Sequence, residues 1–199
     1  MMENNSYSHF EAFPDWFTNQ PAESNFRKFL LHLKGQPNLT FLQLGAYLGH
    51  ASEWLLKEVL TQTSSNLIDV DIWRNSGEIG YETLDFERIF EMYKVKMIQF
   101  PNVQFYRTTS LEFLTKDKRF YDFIYIDGAH DSTSVLMDAE LSLKRLKSGG
   151  IIAFDDYLWD LYPNPNACPK KGIEMFIDNH LKEIEIIESN WQLWIRSLI

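Results

Sequence analysis

Leu39-Thr-Phe-Leu-Gln-Leu-Gly-Ala-Tyr-Leu-Gly-His50 runs from apolar residues into a glycine turn. Phe41, Leu42 and Leu44 read as a buried parallel strand, which shows as a short continuous hydrophobic run rather than an alternation. Gly45 and Gly49 bracket a tight turn, where a missing Cβ lets backbone come close to a ligand. Ala51 to Leu60 then has a helical composition with no Gly or Pro. Strand, glycine turn and helix is how an open α/β sheet builds a nucleotide-sized pocket at its strand ends. This stretch therefore predicts a site for a small nucleoside-like cofactor.

Outward from it the same alternation recurs. Residues 1–22 read as an irregular N-terminal arm carrying Phe10, Phe13, Trp16 and Phe17, and residues 23–199 as one domain. A first helix is expected over 23–34, with Phe26, Phe29, Leu30 and Leu33 on one face and Gly35 and Pro37 as its stop. Strands are expected at 39–44, 67–71, 103–106, 122–126 and 150–154, and further helices at 50–62, 83–99, 110–114, 132–147 and 171–182. The last two strands, 184–187 and 191–195, are separated by Glu188-Ser-Asn190, short enough for a hairpin, so the final strand should run antiparallel. Strands alternating with helices imply parallel pairing, right-handed crossovers and helices on both faces. The expected fold is a Rossmann-like, doubly wound α/β sheet of seven mostly parallel strands with an antiparallel C-terminal hairpin.

A chain of 199 residues suits one domain with a substantial core, and 45% hydrophobic content excludes disorder. With 19 basic and 28 acidic residues the net charge is −9, which argues against nucleic acid or an anionic membrane as partner. Cys168 is the single cysteine, so no internal disulfide forms and a reducing compartment is the simpler setting. The first residues lack a basic segment followed by an apolar one, and no apolar run approaches the ~20 residues of a membrane span. A cytoplasmic protein is expected, and the N-terminal aromatics would suit a homodimer contact.

Ligands in such sheets sit beyond the carboxyl ends of the strands. Strand two delivers Asp69 and Asp71. An acid there can accept both hydroxyls of a ribose, and Asp69 follows Gly45 at close to the ~20-residue offset of dinucleotide folds; Asp71, on the same strand face, is the register alternative. Asp127, Asp155 and Asp156 are expected on neighbouring strand ends. Like charges so crowded are costly unless a cation holds them or one is protonated, and hard oxygen ligands suit Mg²⁺, Ca²⁺ or Mn²⁺. The alternative is that Asp155-Asp156 opens a turn while Asp127 caps a helix. His130, three residues beyond Asp127, is placed to remove a proton, since an unperturbed imidazole has a pKa of ~6.5; a helix-start His satisfied by backbone is the alternative. His50, in the glycine turn, reads as touching cofactor or solvent.

Gln43-Leu-Gly-Ala-Tyr-Leu-Gly49, the acid Asp69, Tyr125-Ile-Asp-Gly-Ala-His130 and Gly149-Gly-Ile-Ile-Ala-Phe-Asp-Asp156 together resemble class I S-adenosylmethionine-dependent methyltransferases. More narrowly the set is similar to the small O-methyltransferases of the catechol and macrocin/mycinamicin type. The resemblance implies that Gln43, Gly45, Ala46, Tyr47 and Gly49 hold the methionine part of S-adenosylmethionine, with Asp69 or Asp71 on the ribose, Thr109 and Ser110 at the adenine edge, and Asp127 beside the cofactor. It also implies Asp127, Asp155 and Asp156 as ligands of Mg²⁺ or a similar divalent cation, His130 as general base, and a small-molecule hydroxyl as acceptor. Substrate contacts are expected from the aromatic arm, the Trp73 to Tyr81 loop, and residues 157–171. Two other readings are weighed. An NAD-dependent oxidoreductase would need a G-x-G-x-x-G turn, which Gly45-Ala-Tyr-Leu-Gly49 lacks. A non-catalytic S-adenosylmethionine-binding protein is the other.

Overall fold

The computed structural model describes residues 13–78, 80–160 and 162–199. Seven strands form one sheet: β1 Thr40–Leu44, β2 Asn66–Asp71, β3 Val103–Arg107, β4 Tyr121–Ile126, β5 Leu146–Phe154, β6 Ile184–Ser189 and β7 Leu193–Ser197, in the order β3-β2-β1-β4-β5-β7-β6. The first five pair in parallel, and β7 runs antiparallel to both β5 and β6. Six helices alternate with them: α1 Pro21–Leu30, α2 His50–Glu58, α3 Phe86–Met97, α4 Ser110–Lys116, α5 Ser132–Leu143 and α6 Pro169–His180.

Period-two alternation along buried strands sends successive side chains to opposite faces. Phe41, Leu67, Phe123, Tyr125 and Trp194 face one core with α1, α2 and α3. Leu42, Ile68, Ile124, Ile152 and Ile195 face the other with α4, α5 and α6. The expected doubly wound sheet is therefore present, with three helices packed on each side. Phe26 anchors the first core. It is fully buried, and its ring meets those of Phe17, Trp54, Phe123, Tyr125 and Trp194 at centroid distances of 5.0, 5.7, 5.6, 4.9 and 5.6 Å. Phe26→Ala is expected to destabilise the fold by about 3–5 kcal/mol, because five rings cannot all collapse into the space left. Urea denaturation checks this, and a loss below about 1 kcal/mol would mean that the packing is looser than drawn.

Several boundaries differ from the sequence expectation. The second helix ends at Glu58, not 62, with Val59 as its C-cap. The fifth ends at Leu143, not 147. Leu146 continues the helical spacing of Leu143, but it pairs with Tyr121 and begins β5, which therefore starts four residues before the expected 150. Sheet pairing outweighs helix periodicity there, as tertiary context commonly does. The last hairpin turns through Asn190-Trp191-Gln192 rather than 188–190, since a bulge between Ile186 and Glu188 lengthens β6. Pro169 starts α6 two residues early, at the first helical position, where its missing N–H costs nothing. In the arm, Phe17 joins the core and α1 begins at Pro21; Phe10 lies outside the described residues.

Candidate functional site

β1 and β4 are neighbours at the point where the strand order reverses, so the cleft that such a sheet opens lies at their carboxyl ends, with those of β2 and β5 on either side. At β1, Gly45 has φ +89°, and its amide donates to the Val70 carbonyl at 2.8 Å while the Asp127 amide donates to the Leu44 carbonyl at 2.8 Å. Gly49, at φ +73°, is the N-cap of α2 and lies against the Tyr93 ring. Between them Tyr47 adopts φ 46°; Trp73, just past β2, adopts φ 40°, and Asp156, just past β5, φ 54°. A left-handed backbone costs a non-glycine residue roughly 1–3 kcal/mol and persists only where surroundings impose it. All three lie at strand ends that border the cleft.

Asp71 stands at the end of β2 and ties two of these turns together. One oxygen accepts the amides of Ala46 and Tyr47 at 2.8 and 2.9 Å, the other that of Trp73 at 2.6 Å. Burial raises its pKa, and the three amides work against that. Asp69, the first choice for ribose, is placed elsewhere. It is fully buried inside the sheet, where the Tyr93 hydroxyl donates to it at 2.6 Å. Its side chain does not border the cleft. Gln43 is likewise beneath the turn, donating to the Gly45 carbonyl at 2.8 Å and accepting from Ser52 at 3.2 Å. Thr109 caps α4 by accepting the Glu112 amide at 3.2 Å, which places Thr109-Ser110 at the end of β3 on the same sheet edge. His50 faces the arm, 3.3 Å from Asp15.

Burial pushes the Asp69 carboxyl up to about 7, with the Tyr93 and Ser52 hydroxyls lowering it and Asp71 raising it. A raised folded pKa means stability that is complete below the unfolded value of ~3.9 and declines as pH rises toward the folded one. Asp69→Asn keeps an oxygen for Tyr93 and removes the titration. The wild-type chain should lose more stability between pH 4.5 and 8 than this variant, by roughly 1.4 kcal/mol for every pH unit separating the folded and unfolded values. Parallel urea midpoints across that range for both proteins would overturn the assignment.

At the same cleft, Asp127, His130 and Asp156 each offer one ligand atom, all within 4.8 Å of one another. Asp155 does not join them. It accepts the Tyr125 hydroxyl and the Asp156 amide, the latter at 2.9 Å, so of the three expected carboxylates the structure groups Asp127 and Asp156 with His130 and leaves Asp155 bonded behind them. Burial, then Asp155 and Asp156, push the Asp127 carboxyl well above the carboxylate range. Burial and Asp156 push Asp155 up to about 6. A cation would remove that mutual repulsion, and a hard-oxygen pair with one imidazole suits a divalent ion. His130 is held from both sides: Nε2 lies 2.8 Å from Asp156, and Nδ1 contacts Glu78. Burial pulls its pKa down, but Asp156 and Glu78 outweigh that and push it up to about 10.

Aromatic rings flank the cluster on two sides. Trp159 stacks on His130 at 4.8 Å, with Tyr162 at 5.3 Å from Trp159. Trp16 from the arm lies 4.7 Å from Tyr47 and 6.1 Å from Tyr81. Sequence reasoning misses Glu78, whose only signal is an acid in a loop between Gly77 and Gly80.

The chain matches the family model for a methyltransferase domain over residues 42–157, more than half its length. It is 28% identical over 138 residues to an Arabidopsis thaliana protein assigned by name to the caffeoyl-CoA O-methyltransferases, covering 69% of this chain and 53% of that one. The chain thus spans about half the length of this curated relative. Among solved structures, an O-methyltransferase from Bacillus cereus in complex with S-adenosylhomocysteine superposes with TM-score 0.64 at 15% identity, covering 89% of this chain and 81% of that one. An O-methyltransferase of tomaymycin synthesis from Streptomyces achromogenes, with S-adenosylmethionine bound, gives 0.67 at 12% identity over 93% and 83%. An rRNA methylase from Streptococcus thermophilus gives 0.63 at 10% identity over 92% and 99%, so the fold by itself does not choose the acceptor. Among the described residues, no helix is long and apolar enough to cross a membrane.

Proposed function

The chain belongs to the methyltransferase domain family, and from that premise we propose that it transfers the methyl group of S-adenosylmethionine to a hydroxyl oxygen of a small molecule, assisted by a divalent cation. The observation that carries this reading is the position of Asp127, His130 and Asp156 directly beside the glycine turn, the Asp127 amide being bonded to the strand end from which that turn leaves. The O-methyltransferases among its relatives and structural neighbours support oxygen as the acceptor atom.

In this reading the turn from Gly45 to Gly49 lets backbone lie against the methionine part of the donor. Asp71, at the end of β2, takes the ribose role first given to Asp69, and Thr109-Ser110 border the adenine. Asp127 and Asp156 would hold the cation, with Asp155 and Tyr125 bracing them from behind, and Nε2 of His130 is kept for the acceptor. A divalent cation bound there supplies Lewis acidity, lowering the pKa of the acceptor hydroxyl and orienting it. His130, whose Nε2 lies 2.8 Å from Asp156, would accept that hydroxyl's proton once a cation engages the Asp156 carboxylate. Methyl transfer cancels the sulfonium charge, so the main task of the fold is to hold donor and acceptor in line and close. The free, buried Cys168 suits a cytoplasmic, reducing setting.

Charge in the cleft bears on the acceptor. The Tyr81 hydroxyl is raised first by burial and then by Glu78, Asp127, Asp156 and Asp71, all of them acids. An acceptor rich in phosphate would meet that field, and like charges brought together cost several kcal/mol. A divalent cation on Asp127 and Asp156 would offset part of that field, and the acids left around it favour a neutral small molecule over one carrying many phosphates. Calorimetric titration should detect S-adenosylhomocysteine and not NAD. Radiolabelled transfer from S-adenosylmethionine should favour catechol and simple sugars over their phosphate esters by roughly tenfold or more, and should fall on addition of EDTA. Binding without transfer to any hydroxyl compound would favour the non-catalytic reading.

A further inference from the structure

The imidazole of His130 is gripped from a loop that is far away in sequence. Nδ1 contacts the Glu78 carboxylate, 52 residues upstream, while Nε2 points into the cluster toward Asp156 at 2.8 Å. Neither contact is a loose surface pair, since the His130 and Glu78 side chains are 12% and 18% exposed. Trp159 covers one face of the ring, which leaves it little freedom to turn.

The loop is constructed to present Glu78. The Asn75 side chain accepts the Gly77 amide at 2.7 Å and donates to the Tyr81 carbonyl at 3.1 Å, so it spans both sides of Glu78. Glu82 accepts the Gly80 amide at 2.9 Å, and the Tyr81 amide closes a turn onto the Glu78 carbonyl at 3.1 Å. Gly77 and Gly80 sit at φ +85° and +90° with open space where a Cβ would be, so backbone conformation rather than crowding calls for glycine at both. At one end Trp73 anchors the loop through its ring N–H to the Tyr47 carbonyl at 2.9 Å; at the other Asp85 caps α3.

We propose that Glu78 is the positioning residue of the site: it accepts the Nδ1 proton of His130 and thereby commits Nε2 to the reacting side. The inference rests on the methyltransfer reading above, and it holds whether Nε2 takes the acceptor's proton or ligates a cation. A carboxylate on one ring nitrogen fixes tautomer and orientation at the other in both arrangements. Glu78 itself faces the imidazole and not the acceptor, so it acts through His130. It also makes the loop that carries Glu78 part of the working site: displacing Glu78 would release the imidazole.

Proton NMR on the intact protein tests the contact without any acceptor. The wild-type chain should show a downfield, exchange-protected Nδ1–H, told apart from the Nε2–H that faces Asp156 by its ring nitrogen couplings, and it should disappear in His130→Ala, which assigns it to this ring, and in Glu78→Ala. Glu78→Gln, which keeps size and one acceptor oxygen, should show the same resonance weakened. Binding of S-adenosylhomocysteine should be unchanged in all three variants, showing that each has folded. With catechol as probe acceptor and Mg²⁺ present, Glu78→Ala should lower kcat by about 10- to 100-fold at unchanged KM for the donor. The double variant with His130→Ala should be no slower than His130→Ala alone. Persistence of the resonance in Glu78→Ala overturns the proposal, and so does a loss that multiplies that of His130→Ala. If instead the resonance behaves as expected while His130→Ala turns over normally, the clamp stands and the methyltransfer role of His130 fails. Should catechol prove no acceptor, the resonance decides alone.

Discussion

Replacing His130 with alanine is expected to cut methyl transfer by about 10²- to 10⁴-fold, the usual range for a positioned proton-transfer group, while leaving S-adenosylhomocysteine affinity within about twofold. The reason is spatial. His130 follows β4, belongs to the group with Asp127 and Asp156, and is stacked on Trp159, whereas the turn proposed for the donor belongs to β1 and is tied to Asp71 and Trp73. Removing the imidazole leaves those ties untouched. It also leaves Asp156 without the partner at 2.8 Å, so a divalent ion should bind with altered affinity in the variant. Initial-rate kinetics beside donor calorimetry make the comparison, and turnover equal to wild type would remove His130 from the chemistry. His130→Gln returns a hydrogen-bonding group without a titratable nitrogen and should rescue stability but not rate.

Gly45→Ala should be the most damaging single change in the turn after β1. An ideal Cβ there would lie 1.8 Å from the Asp127 carbonyl oxygen, 2.5 Å from its carbon and 2.9 Å from Gly128 Cα. Every one of those atoms is backbone, so no side chain can swing aside. The strand ends cannot part either, because the Asp127 amide is bonded to Leu44 and the Gly45 amide to Val70. With φ at +89° adding strain, the loss should exceed about 4 kcal/mol, a size reserved for changes that force backbone apart. Poor folding or abolished donor binding is the expected result. Gly149→Ala is the matched control: φ is +74°, but nothing lies within 4 Å of the added carbon, so only the left-handed penalty of about 1–2 kcal/mol applies. Equal stability losses for the two would show that the contact with Asp127 is not what demands glycine at Gly45.

The sequence brings the candidate residues to the right strand ends, and where the structure separates residues that the sequence leaves together the cause is the same. Asp69 and Asp71 share a strand face, so alternation alone cannot separate them. Pairing separates them by depth: Asp69 lies opposite Gln43 within the sheet and Val70 opposite Leu44, which leaves Asp71 at the rim. Asp155 and Asp156 are adjacent in sequence, yet the left-handed backbone at Asp156 turns one carboxylate toward His130 while Tyr125 retains the other. Glu78 carries no pattern at all, because loop acids are common and its partner lies 52 residues away.

The order of strands and helices, the two-faced hydrophobic alternation and the glycines of the β1 turn were determined by local sequence, since periodicity and φ preference act over a few residues. Which carboxylates share a cleft, which one is buried, and what holds His130 were decided by the tertiary structure. Those relations depend on register between strands and on one loop folding back, and the electrostatics of a site follow distances through space rather than along the chain.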